Sequence, residues 1–220
     1  SEGVLRQRLG QDITLHPVQY GEEHWLGQCR VSFHSAGHVL GSAQIRLEVD
    51  GEVWVVSGDY KRDADPSCDP FEPVPCDVLI TEATFGLPIY RWQTGAEVAN
   101  EIRAWWQGDR QRPSLLFCYA FGKAQRLMAE LNAIGVDDEV LLHGAVETVT
   151  RHYRAAAVPM TPSRPVSDLP RSDNLAGRLV LAPPSAHRSS WMRRFRSPQT
   201  GFASGWMAVR GARRRRGYER

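Results

Sequence analysis

Two hundred and twenty residues, 42% of them hydrophobic and 24% charged, suffice for one large domain or two small ones with a real core, and exclude a disordered chain. No apolar run reaches the roughly 18 residues that cross a bilayer, which excludes a membrane span. The formal charge of +2 conceals an asymmetry, because residues 188–220 hold ten arginines against the single acid Glu219.

Only Lys61 and Lys123 among the 27 basic residues are lysine. The run Arg213, Arg214, Arg215 and Arg216 is either a phosphate-facing patch or a solvated basic loop. The four cysteines, Cys29, Cys68, Cys76 and Cys118, show no C-x-x-C pair, so reduced thiols in a cytosol are expected. The opening SEGVLRQRLG has neither the basic nor the apolar region of an export signal. It also lacks an initiator Met, which suggests a piece cut from something longer.

Residues 28–60 read as strands. Gln44 to Val49 alternates apolar and polar, Asp50-Gly51 is a hairpin turn, and Glu52 to Val56 runs back. A turn-rich connector rich in Asp and Pro occupies Lys61 to Cys76. Asp77-Val-Leu-Ile-Thr-Glu is then expected to be a buried strand ending in a carboxylate.

From residue 94 the period becomes helical. Thr94 and Glu97 form a capping-box pattern, Val98, Ile102 and Trp105 share a face, and Gly108 can end the helix. Three strand-turn-helix units are expected next. Ser114 to Tyr119 turns at Gly122 into a stripe of Leu127, Met128, Leu131 and Ile134 that stops at Gly135. Val140 to Leu142 passes through His143-Gly144 into a helix bearing Val146, Val149 and Tyr153. Arg178 to Leu181 leads through Ala-Pro-Pro-Ser into Trp191 to Phe195. Alternation of this kind predicts an open, largely parallel α/β sheet over roughly 110–195. Residues 158–173, with four prolines, are expected to be a surface loop. A further strand is expected beyond residue 196, leaving this region.

Three polar residues stand where apolar strands stop. His38 lies in Ser-Ala-Gly-His-Val-Leu-Gly-Ser-Ala, Asp59 follows Trp-Val-Val-Ser-Gly, and Glu82 follows Val-Leu-Ile-Thr. Strand ends are where α/β folds build sites, and imidazole with carboxylate suits a cation such as zinc. Taken singly, a loop histidine or a strand-end aspartate is as well explained by a turn or a cap. Gly122 and Lys123 at a helix start suit a phosphate contact, or a solvated first turn.

The blocks SAGHVLGSAQIRLEVDGEVWVVSGDYKRDADP and CDVLITEATFG, taken in order, resemble the β-CASP group of metallo-β-lactamase-fold nucleases, with the ligase-associated DNA exonuclease branch nearest. The likeness runs on through FCYAFGKAQRLMAEL, LLHGAVETVTRHY and LAPPSAHRSSWMRRF to FASGWMAVRG. It implies an α/β fold: a partial metallo-β-lactamase αββα sandwich in residues 1–90 and an inserted α/β β-CASP cap in 91–195. A return strand and Arg-rich segment toward the metallo-β-lactamase domain would occupy 196–220.

By the same resemblance His38 is a ligand to one of two zinc ions and Asp59 bridges both. Glu82 orients a histidine that protonates the leaving group, and Lys123 and Arg126 face the nucleic acid from the cap. The implied activity is metal-dependent phosphodiester hydrolysis in the cytoplasm, with DNA favoured over RNA and a DNA ligase or helicase of the same pathway as a partner. An RNA-processing nuclease and a non-catalytic nucleic-acid binder are the alternatives. A small-molecule metallo-hydrolase is disfavoured, since Glu82-Ala-Thr-Phe-Gly and the cap would be surplus there.

Two departures qualify this. The group's H-x-H-x-D-H is absent, the earlier histidines being His16, His24 and His34 at other spacings, and its two late histidine motifs would fall beyond Arg220. The chain therefore reads as truncated at both ends, with an incomplete ligand set and weak metal binding. His143 and His187 are left to the cap, His143 as the start of a helix.

Overall fold

The computed structural model describes residues 2–205, which fall into a first unit ending at Leu87 and a second beginning at Pro88. The first carries helix α1 (Glu2–Leu9) and strands β1 (His24–Leu26), β2 (Cys29–Ser35), β3 (Ala43–Val49), β4 (Glu52–Val56) and β5 (Val78–Ile80). They form one sheet in the order β1-β2-β3-β4-β5. The first three pairings are antiparallel and β4–β5 is parallel. Asp50 and Gly51 both take left-handed φ, 52° and 84°, as a two-residue hairpin between β3 and β4 requires.

The register places Val31, Leu47 and Trp54 on one face. Arg30, Arg46 and Glu48 lie on the other, where Glu48 accepts from Arg30 at 2.5 Å and from Arg46 at 2.6 Å. That is the alternation of a sheet with one polar side. Strand β5 departs from expectation. It lies at the sheet edge, and Leu79 and Ile80 are 55% and 49% exposed. An apolar run reveals strand propensity, not what covers the strand. Strand β1 was not expected, being three residues long with Trp25 and Leu26 exposed.

The second unit carries α2 (Gly95–Gly108), β6 (Ser114–Phe117), α3 (Lys123–Ala133), β7 (Val140–Leu142), α4 (Gly144–Ala155), β8 (Ser163–Pro165), β9 (Leu179–Ala182) and β10 (Gln199–Phe202). Its sheet runs β10-β6-β9-β7-β8, and every pairing is parallel. Strands β6, β7 and β9 are buried at every residue, as parallel strands covered on both faces must be. Ile102 and Trp106 of α2, Leu127, Met128 and Leu131 of α3 and Val146 of α4 pack on Leu116, Leu142, Leu179 and Leu181. The opposite face packs Leu115, Phe117, Leu141 and Val180 against Val166, Leu175 and Phe195.

The Thr94–Glu97 capping box forms in full. The face of α2 is rotated slightly from the expected one: Ala99, Ile102 and Trp106 are buried, with Val98 and Trp105 at its margins. The proline-rich stretch is more than a loop, because it supplies edge strand β8 and the buried Val166. Residues 190–194 form 3₁₀ turns in place of the expected helix. Gln199–Phe202 pairs with β6 as the outer strand of this sheet, and most of the strand and Arg-rich segment expected over 196–220 lies outside the described residues. Among the described residues no helix is long and apolar enough to cross a membrane.

Candidate active site

Strands β2, β4 and β5 run in the same direction, since β3 is antiparallel to both β2 and β4, and β5 is parallel to β4. Their carboxyl ends therefore share one edge of the first sheet. From that edge spring the loop 36–42 bearing His38, the turn bearing Asp59, and the segment bearing Glu82. Ser57 ties two of these ends together, its N–H donating to the Ile80 carbonyl at 2.9 Å and its hydroxyl to Thr81 Oγ1 at 3.2 Å.

The histidine loop is fastened at several points. Ser42 Oγ accepts from the N–H of His38 and of Val39, both at 3.1 Å. The Lys61 N–H donates to the Ala36 carbonyl at 2.9 Å. Gly37, at φ 66°, lies so close to the 61–71 segment that a Cβ would collide with the Lys61 carbonyl oxygen and stand 2.8 Å from the Phe71 nitrogen. His38 Nε2 and Asp59 Oδ2 are thereby brought to 4.0 Å, with side chains 43% and 73% exposed. Glu82 Oε2 accepts from the Thr84 N–H at 2.6 Å. That bond first, then the Thr84 hydroxyl and the nearby His38, hold its carboxyl below the usual carboxylate range.

Two supporting groups escaped the sequence reading. Asp65, with a side chain 2% exposed, pairs with Lys61 at 3.2 Å and accepts from both the N–H and the hydroxyl of Ser67. His34 Nδ1 lies 2.8 Å from Glu72 Oε1, and its Nε2 lies 3.0 Å from Ser32 Oγ. Donation of the Nδ1 proton to the carboxylate leaves Nε2 to accept from the hydroxyl. Both groups anchor the 61–72 segment that walls the histidine loop, and the His34–Glu72 pairing spans 38 residues, which no local pattern announces.

The His38–Asp59 pair fits zinc in donor chemistry, a neutral imidazole beside a carboxylate, but not in number. A zinc site takes four ligands, and the described residues contain no group of three or more His, Cys, Asp or Glu able to hold a metal. No reaction step through a metal follows from these two donors alone.

In the second unit Gly122, at φ 78°, opens α3 and Lys123 is its first residue. Arg126 Nε lies 3.5 Å from Glu130 Oε1 with its side chain only 21% exposed, so part of its charge is spent inside the unit. His143 caps α4, its Nδ1 accepting from the Ala145 N–H at 3.0 Å, and its ring meets Trp191 edge-on. His187 sits between Phe117 and Phe202. Burial lowers the pKa of both histidines. Arg213, Arg214, Arg215 and Arg216 lie outside the described residues.

No family model matches the chain. It is 32% identical, over 95% of its length, to a probable DNA ligase of Opitutus terrae. It is 28% identical over 59% to cleavage and polyadenylation specificity factor subunit 3 of Dictyostelium discoideum. Over 46% it is 34% identical to the endoribonuclease YSH1 of Candida glabrata. The chain spans 20%, 17% and 13% of these relatives. Together they bear out the resemblance, read from its motifs, to the β-CASP group of metallo-β-lactamase-fold nucleases.

Proposed function

We propose that this chain is part of a zinc-dependent nuclease that hydrolyses phosphodiester bonds in DNA. Residues 1–90 would carry part of the catalytic domain and 91–195 the cap. The observation that supports the reading most is the meeting of His38 and Asp59 at 4.0 Å, with Glu82 close enough for His38 to act on its carboxyl.

His38 Nε2 and Asp59 Oδ2 would hold the metal together with donors from polypeptide beyond these residues. A metal bound there supplies a water acidified toward neutrality and positive charge opposite the phosphate oxygens. Asp59, mostly exposed, brings its negative charge to the cation with little desolvation. Glu82 stays ionised through the neutral range and orients a histidine by accepting its ring proton. Lys123 at the start of α3 and the run Arg213–Arg216 would hold the phosphate backbone, so retention should weaken with salt.

DNA is favoured because the similarity to the probable DNA ligase extends over 95% of the chain, whereas the endoribonuclease YSH1 matches 46%. A ligase or helicase partner and a cytoplasmic setting belong to the same proposal, and the ligase relative's name supports the first of these. The second reading, RNA processing, rests on the cleavage factor and endoribonuclease relatives.

The test incubates the protein, with whatever polypeptide flanks this chain in its gene, with end-labelled single-stranded DNA and RNA, with and without a chelator. Cleavage of DNA that stops on chelation and returns with zinc supports the proposal. Cleavage of RNA alone selects the second reading. Binding with no cleavage of either selects a non-catalytic binder.

A further inference from the structure

We propose that Ser42, held in turn by Tyr20, is the positioning residue for the His38 imidazole; this deepens, and rests on, the reading of His38 as a metal donor. Ser42 closes the loop 36–42 from both sides. Its hydroxyl oxygen accepts from the His38 and Val39 amides. Its own N–H donates to the Val39 carbonyl at 2.9 Å, and its carbonyl accepts from the Ala36 N–H at 3.1 Å. Tyr20, from the irregular segment between α1 and β1, reaches across to donate its hydroxyl to that same carbonyl at 2.9 Å.

The loop needs such a staple. Ala36, Gly37, Val39, Leu40 and Gly41 bring no side-chain acceptor, and Gly37 and Gly41 sit at φ 66° and 72°, where glycine imposes no side-chain restraint. The His38 side chain is 43% exposed, so packing does little to fix its direction. The backbone on either side of its Cα must do so, and Ser42 is where that backbone is held. Burial first, then the charge of Asp69, raises the Tyr20 pKa, which keeps its hydroxyl a donor across the neutral range. Ser42 touches neither metal nor substrate and acts only through His38.

The variants are S42A, S42T and Y20F in the protein with the polypeptide that flanks this chain in its gene, where the metal reading finds its further donors. The readouts are hydrogen exchange at the His38 and Val39 amides, the His38–Asp59 separation in each variant's crystal structure, and the zinc concentration that half-shifts the His38 ring resonances. S42A should exchange about tenfold faster at both amides, let the His38–Asp59 separation open, and need several-fold more zinc, with little change in Tm. S42T, which keeps the acceptor, should restore all three, and Y20F should fall between. Unchanged exchange in S42A overturns the proposal, as does faster exchange with an unchanged His38–Asp59 separation. A wild-type His38 that ignores zinc altogether sinks the metal reading instead, and the exchange rates and separations still decide the role of Ser42.

Discussion

Gly37 presses its α-carbon against the backbone carbonyl of Lys61 so closely that no Cβ fits between them. This contact, one residue before His38 and two after Asp59, joins the two candidate donors through main chain alone. Gly37→Ala should therefore cost about 2–4 kcal/mol, combining collision with strain at positive φ. Because the obstacles are backbone atoms, the loop rather than a side chain must move. Denaturant unfolding measures the loss, and the zinc response of His38 should weaken in parallel.

Cys118, at the end of β6, is fully buried, and burial pushes its thiol up to about 12. It should stay unmodified by a thiol reagent at pH 8 while the exposed Cys76 reacts quickly. In the unfolded chain the same thiol ionises near its ordinary value, so above about pH 9 unfolding releases a proton. Stability should then fall by about 1.4 kcal/mol per pH unit until the folded value is reached. Cys118→Ala should lessen that alkaline slope.

His143 behaves oppositely. Burial lowers its pKa, and its neutral Nδ1 is the cap of α4. Below about pH 6.5 the unfolded chain takes up a proton that the folded chain resists, so this contribution is present at neutral pH and lost on acidification. His143→Asn keeps a good cap without the titration. Its unfolding midpoint should change less between pH 7 and 5 than that of the wild type.

Trp106 spans the second unit's core, fully buried, with its ring N–H donating to the Gly177 carbonyl at 2.8 Å. Trp106→Phe should cost about 1–3 kcal/mol, because the carbonyl loses its donor and a cavity opens. Trp106→Ala should cost about 3–5 kcal/mol.

What could be read from sequence was local. Thr94 and Glu97 announce a helix start because both partners lie within one turn, and Asp50-Gly51 announces its hairpin because the turn needs two left-handed residues. The buried runs of β6, β7 and β9 show in composition because both faces are covered. The rest depends on distant partners. Strand β8 hides in a proline-rich stretch because its pairing with β7 lies 23 residues back, Ser163 opposite Val140. The exposure of Leu79 and Ile80 is decided by what stacks on β5, and the 3₁₀ turns at Ser190–Arg194 carry no periodic signal. At the site, the motif order singled out His38, Asp59 and Glu82. The contact of Gly37 with the 61–71 segment and the reach of Tyr20 to Ser42 emerge only once loops remote in sequence are seen to touch.

The measurement that tests the account most directly compares wild type with Asp59→Asn, in the protein with its flanking polypeptide, for cleavage and retention of single-stranded DNA. The account predicts that cleavage is abolished while retention stays within about twofold, because a metal donor is lost and no backbone contact is. Cleavage by the variant at near the wild-type rate would contradict it.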